Sequence, residues 1–200
     1  PASIAHPVRL LPLTFLALIV LGAALLMLPF AHTRQGSADF VDALFTAASA
    51  VTVTGLASVD TGTYWTVGGQ GIIALATILG LFVGGRLGVR TRLLAQADMH
   101  VVSLGEVRPL LRRVAITMLF FQTIIAVVLT LRYRQTYFDD LGTSAWHGVF
   151  DSVMAFNNAG FSLNHDSITR YGGDGLVILP ISVAVFIGAM GFPVLAELWQ

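Results

Sequence analysis

Residues 10–30 form an almost unbroken apolar run. At about 1.5 Å of helix rise per residue, such a run matches a hydrocarbon core roughly 30 Å thick. Pro12 is expected in its first turn, where a missing N–H does little harm, and Pro29 marks its exit. Three more apolar runs follow, at residues 72–83, 114–131 and 176–190, the last extending toward Trp199. Pro180 inside that run and Pro193 near its end predict a kink or break. Between the first and second runs, and again between the third and fourth, lies a semi-polar stretch. Each carries a helical pattern too short to cross a bilayer, over residues 39–51 and 144–156. The first opens with Asp39 and the second with Ser144, both good N-cap residues. A glycine-containing segment follows each. A short helix plus irregular backbone between two spans predicts a re-entrant loop, which survives at membrane depth only when buried in protein or lining a watery cavity.

The two halves align with each other. Residues 45–56 fall on residues 150–161, which makes Phe45/Phe150, Ala50/Ala155 and Gly55/Gly160 identical pairs. After a one-residue slip, Gly68-Gly69-Gln70-Gly71 falls on Gly172-Gly173-Asp174-Gly175, and Gly84 meets Gly188. Each unit crosses the membrane twice, so the second keeps the orientation of the first. Like-oriented repeats are related by an axis along the membrane normal, which suits a pore better than a rocking carrier. The predicted fold is therefore an all-α membrane protein of two tandem helix–pore-loop–helix repeats. Residues 1–88 form the first, 89–113 a linker and 114–200 the second.

Composition sharpens this picture. Only 11% of the residues are charged and 56% are apolar, against about a quarter charged in soluble domains. The mean hydropathy is +0.80. All 11 basic residues are arginine and they balance 11 acidic ones, so no nucleic acid or other polyanion is expected as a partner. Six arginines, Arg86, Arg90, Arg92, Arg108, Arg112 and Arg113, cluster around the linker. The positive-inside rule then puts the linker in the cytoplasm and both loops outside. The absence of cysteine excludes disulfides and thiolate metal sites. A first run this long with no small-residue cleavage site after it argues against a signal peptide. A chain that starts at Pro1 and stops inside an apolar stretch reads as part of a longer protein.

A dehydrated alkali cation needs oxygen ligands in place of its water shell, and an extended backbone aimed at a pore axis supplies them as carbonyls. Glycine permits the unusual backbone angles this requires. The C-terminal end of a short helix, carrying partial negative charge, favours a cation there. The candidate donors are Thr52, Val53, Thr54 and Gly55 in the first loop, and Asn157, Asn158, Ala159 and Gly160 in the second. Threonine and asparagine side chains would brace the loops. Neither segment holds a carboxylate, so a ring of charge is disfavoured as the selectivity device. Either glycine alone would read as a helix C-cap or tight turn. His147 and Asp151, with His165 and Asp166 further on, could form a metal or proton-relay site, but the first pair aligns with Asp42 and Thr46. Solvation of the pore mouth or helix capping explains them better. Phe45, Phe150 and Phe161 are expected to pack against the spans. Gln122 is expected to face a neighbouring helix. Gly84, Gly85 and Gly88 lack the strand context of a dinucleotide site and are read as close packing at a helix end. A carrier with broken helices, and an intramembrane enzyme using His147, Asp151 or His165, remain rival readings.

The string Thr46-Ala-Ala-Ser-Ala-Val-Thr-Val-Thr-Gly55-Leu56 resembles the first pore loop of the Trk/Ktr/HKT superfamily of potassium-uptake proteins. Phe156-Asn157-Asn158-Ala159-Gly160-Phe161-Ser162 resembles the second, and residues 69–88 resemble the family's first inner helix, with the bacterial Ktr-type membrane subunit as the best match. The resemblance implies potassium as the transported ion, no enzyme activity, no bound cofactor and a place in the cell membrane. It implies four such repeats around one pore with one filter glycine each, of which this chain carries the first two. It also implies homodimers and a cytosolic nucleotide-binding regulatory subunit of the RCK/KTN type. In plant relatives a serine at the first filter glycine goes with sodium preference, so Gly55 points to potassium.

Overall fold

In the computed structural model, residues 7–34, 36–96 and 107–190 are described. Seven α-helices run through them: α1 (Pro7–Leu26), α2 (Phe40–Thr52), α3 (Thr61–Tyr64), α4 (Val67–Gln96), α5 (Val107–Thr136), α6 (Leu141–Phe156) and α7 (Gly175–Ala189). A single 3-10 turn, Thr169–Tyr171, precedes α7. There is no strand among the described residues, only an isolated bridge between His32 and Trp65. Within α4 and α5, Val67–Gly84 and Ala115–Thr136 are long and apolar enough to cross a membrane. Helices α2, α6 and α7, at 13, 16 and 15 described residues, reach only about 20–24 Å and fall short of it.

Several expectations need correction. Helix α1 starts at Pro7, so Pro12 lies beyond the first turn. Helix α4 starts at Val67 and continues to Gln96, which places Gly84, Gly85 and Gly88 in its interior rather than at its end. Of the expected linker, residues 89–96 continue α4 and residues 107–113 begin α5, while residues 97–106 lie outside the described residues. Helix α7 runs unbroken through Pro180. Only the Leu176 carbonyl loses its helical donor there, and the buried stripe of Val177, Ile181 and Ala184 anchors the helix around it. The expectations for Pro193 and Trp199 lie outside the described residues.

The short helices are set by their caps. Asp39 caps α2 as expected, its carboxylate accepting the Val41 N–H at 2.8 Å. Helix α6 is capped by Asp140 rather than Ser144. The Asp140 carboxylate accepts the Thr143 N–H at 2.7 Å, while the Ser144 hydroxyl donates to the Asp140 carbonyl. The cap falls where a side-chain acceptor meets an otherwise orphaned amide, and four residues of α6 precede the expected start.

Helices α1, α2 and α4 pack together, as do α5, α6 and α7, and α4 touches α6. Small residues allow the close approaches that apolar helices need when lipid is the solvent. Ala43, Ala47 and Ala50 of α2 are buried, with Gly22 of α1 against Ala47. Gly148 of α6 sits against the Ala126 carbonyl and Thr130 of α5. Beyond α6, Arg132 of α5 donates to the Asp174 carboxylate at 2.7 Å, and Asp174 caps α7. This arrangement delivers the C-terminal ends of α2 and α6 to one place.

Candidate functional site

The two short helices end in the same backbone conformation. At α2, the Val53 N–H donates to Ala50 O at 3.2 Å and the Thr54 N–H to Ser49 O at 2.9 Å. At α6, the Asn158 N–H donates to Ala155 O at 3.1 Å and the Ala159 N–H to Met154 O at 2.9 Å. Val53 and Asn158 are left-handed, with φ of 57° and 54°. Gly55 and Gly160 follow two residues later with φ of 72° and 76°. Each of these pairs obeys the single register that aligns Gly55 with Gly160. Asparagine tolerates the left-handed region, but a β-branched valine there is strained.

This geometry revises the donor segments. Thr52 is the last residue of α2 and the left-handed Val53 its cap, while Asn157 caps α6 in the right-handed helical region and the left-handed Asn158 follows it. An extended chain over all four residues of each loop is thus not found. The irregular backbone starts at Thr54 and Ala159. The glycines are not the helix caps either, since Val53 and Asn157 hold those positions.

Gly55 and Gly160 meet backbone to backbone. A Cβ on Gly55 would overlap the Ala159 carbonyl oxygen and lie 2.8 Å from Gly160 Cα. A Cβ on Gly160 would lie 3.2 Å from Gly55 Cα. A hollow of about 320 Å³ opens onto both glycines, with Ser58, Asp60, Thr61, Ser162, Asn164 and His165 in its lining.

Side chains and inner helices hold the loops. The Thr52 hydroxyl donates to Ala48 O at 2.7 Å, and the Thr54 hydroxyl to Ser49 Oγ at 3.1 Å. Asn157 Nδ2 donates to Val153 O at 2.8 Å, and Asn158 Nδ2 to Val185 O of α7 at 3.3 Å. Gly80 of α4 lies against the Val51 carbonyl and Gly188 of α7 against the Phe156 carbonyl, with no room for a Cβ at either. Val51 and Phe156 are equivalent in the loop register, so Gly188 is the counterpart of Gly80. The expected pairing with Gly84 is off by one helical turn. The helix starts, Val67 and Gly175, agree with the corrected register. The glycine clusters at residues 68–71 and 172–175 are a coincidence of composition.

The other candidates separate. Asp151 is buried and accepts the Tyr133 hydroxyl at 2.7 Å, while the His147 ring packs 4.5 Å from that of Phe138. His165 and Asp166 are exposed. No group of three His, Cys, Asp or Glu residues that could hold a metal occurs among the described residues. Phe150 and Phe161 are buried, whereas Phe45 is 41% exposed and does not fill a core. Gln122 is buried, with its backbone carbonyl accepting the Ser152 hydroxyl of α6 at 2.7 Å. Two polar contacts escaped the sequence reading, Tyr133–Asp151 and Gln70–Trp146. A glutamine in the first turn of an apolar helix is itself a signal, since it must find a partner once buried.

The family described as cation transport protein, TrkH, matches residues 3–199. The chain is similar to the Ktr system potassium uptake protein B of Bacillus subtilis, 37% identical over 97% of this chain and 45% of that protein. It is 33% identical to the Ktr system potassium uptake protein D of the same organism, over 96% of this chain and 45% of that protein. It is 28% identical to the potassium/sodium uptake protein NtpJ of Enterococcus hirae, over 93% of this chain and 44% of that protein. The chain therefore spans a little under half the length of these relatives.

Proposed function

The chain belongs to the TrkH family of cation transport proteins, and from that premise we propose that it forms part of a potassium-selective pore in the cell membrane. Residues 1–88 and 114–200 act as two like-oriented helix–pore-loop–helix repeats about an axis along the membrane normal. Residues 89–113 join them on the cytoplasmic side, and both loops face outside. The filter is lined by backbone carbonyls from the irregular segments, Thr54 and Gly55 in the first loop and Ala159 and Gly160 in the second. A potassium ion passing there exchanges water for these oxygens, and the C-terminal ends of α2 and α6 add a favourable field.

One observation carries the reading: the two loops repeat each other's backbone, left-handed residues and glycines included, and the two glycines come into contact. Two unrelated turns would have no reason to share a register of outliers. The relatives named for potassium uptake support potassium as cargo, and the one named for potassium and sodium leaves sodium as the competitor to test. Following what the family resemblance implies, we further propose that the active assembly contains two copies of the protein, surrounding lipid and a cytosolic nucleotide-binding regulatory subunit of the RCK/KTN type.

The test is growth and rubidium influx in a potassium-uptake-deficient bacterium expressing the full-length gene. Rescue at low potassium is expected, with selectivity lost on replacing Gly55 or Gly160 by a bulky residue. An intramembrane enzyme would give no rescue, and a carrier would need a second coupled ion. Normal selectivity in both glycine variants would remove the filter assignment.

A further inference from the structure

Gln70 lies in the first turn of α4 and is 6% exposed. Its side-chain amide meets four groups. The Trp146 indole N–H of α6 donates to Gln70 Oε1 at 2.6 Å. Gln70 Nε2 lies 2.9 Å from Trp65 O, 3.3 Å from Gly62 O and 3.4 Å from Thr61 O. An indole N–H only donates and a carbonyl only accepts, so the amide has one possible orientation and both of its ends are used.

The contact closes a circuit. Helix α6 leads through Asn158 and Gly160 to Leu163. A Cβ on Gly62 would overlap the Leu163 carbonyl, so these two segments touch backbone to backbone. Gly62 is held by Gln70, and Gln70 is held by Trp146 on α6. The same two loops touch a second time at Gly55 and Gly160. Movement of one loop against the other must therefore break either the Gln70 contacts or the backbone packing.

We propose that Gln70 and Trp146 form a latch that fixes the spacing of the two filter loops, and that this latch sets discrimination between potassium and sodium. The inference rests on the filter reading above. Selectivity through carbonyl ligands depends on their spacing or on the stiffness with which they are held. A latch that binds no ion can act on either. Gln70 and Trp146 are positioning residues.

The test compares Trp146→Phe, Gln70→Leu and their double variant with Gly55→Ser in the full-length protein. Potassium and sodium influx are measured in the uptake-deficient bacterium and divided by membrane abundance. Trp146→Phe removes one N–H and keeps a ring, so it is the least disruptive change. Each single variant is expected to lower the potassium/sodium ratio about fivefold or more, the loss from a buried hydrogen bond left half-made. The double variant should be no worse than the poorer single one, because both break the same contact. A ratio equal to wild type in Trp146→Phe, or full additivity in the double variant, overturns the latch. Trp146→Phe alone decides if Gln70→Leu fails to accumulate. If Gly55→Ser also leaves the ratio untouched, the filter reading fails; if it abolishes selectivity while the latch variants do not, only the latch fails.

Discussion

A single methyl group distinguishes the two loop glycines, Gly55 and Gly160. At Gly55 a Cβ would occupy the position of the Ala159 carbonyl oxygen, a backbone atom with no rotamer to yield. At Gly160 the nearest atom would be Gly55 Cα at 3.2 Å, a contact that a few tenths of an ångström relieve. Both positions have positive φ, which costs an L-residue about 1–2 kcal/mol. Gly55→Ala should therefore reduce rubidium influx per molecule by about tenfold or more, since strain and overlap add. Gly160→Ala should reduce it less. Influx normalised to membrane abundance checks this, and a Gly160→Ala defect equal to or larger than that of Gly55→Ala would contradict the geometry. The identity of the glycines was legible in the sequence because the two loop strings align. The left-handed Val53 was not, since valine is among the residues least suited to that conformation and nothing local announces it. The Val53 and Thr54 amides bonded back to α2, Gly80 against the Val51 carbonyl and the loop contact at Gly55 together hold the chain in that turn.

Among the elements, the four apolar runs and both short helices were readable from hydropathy, because a helix in lipid must be apolar along the stretch that crosses. Their ends were less readable. Helices α4 and α5 extend into arginine-rich sequence, where hydropathy falls while arginine and leucine remain good helix formers. The register between α4 and α7 was misjudged for a related reason: glycine clusters at the helix starts match by composition, whereas packing selects the glycines that face a carbonyl. This yields a contrast. Gly80→Ala should lower the melting temperature in detergent, at a cost of about 1–3 kcal/mol, because its Cβ would push α4 away from the end of α2. Gly84→Ala should be neutral or stabilising, because its Cβ would rest 3.6 Å from Phe15 and alanine favours helix by up to about 1 kcal/mol. The reverse order of melting temperatures would restore the original alignment. The start of α7 adds a pH signature. Hydrogen bonding to the Arg132 guanidinium, then to Tyr137, holds the Asp174 carboxyl below its ordinary range. A depressed carboxylate contributes stability above its unfolded pKa and loses it as pH falls through the folded value. Asp174→Asn should thus melt below wild type at pH 7, with the gap narrowing toward the acid side of about pH 3.9. A gap that stays constant as pH falls well below that value would show that the ion pair contributes nothing.

At the scale of the whole molecule, the contact between the two halves predicts where further repeats must sit. Gly71 of α4 lies 3.8 Å from the Trp146 ring of α6. In the loop register the counterpart of Trp146 is Val41 of α2, and in the inner-helix register the counterpart of Gly71 is Leu179 of α7. Val41 is 68% exposed and Leu179 is 65% exposed. The surface used between the halves is therefore presented again at both ends of the arc, apolar and uncovered, as a head-to-tail interface that needs rotation to close. Lipid can cover the outward faces of α1 and α5, but Val41 belongs to a short helix packed inside its own hairpin. The further repeats that the family resemblance implies would fill both ends. For these 200 residues alone, a second copy is the only source of the matching surface. Cysteine-free sequence makes the experiment clean. Copies carrying Val41→Cys mixed with copies carrying Leu179→Cys should cross-link with a short bismaleimide in lipid nanodiscs. Copies carrying Leu21→Cys, an exposed residue of α1, should not cross-link with either. Equal cross-linking in all three mixtures would mean that the two ends do not recognise each other, and the arc would then not be part of a closed ring.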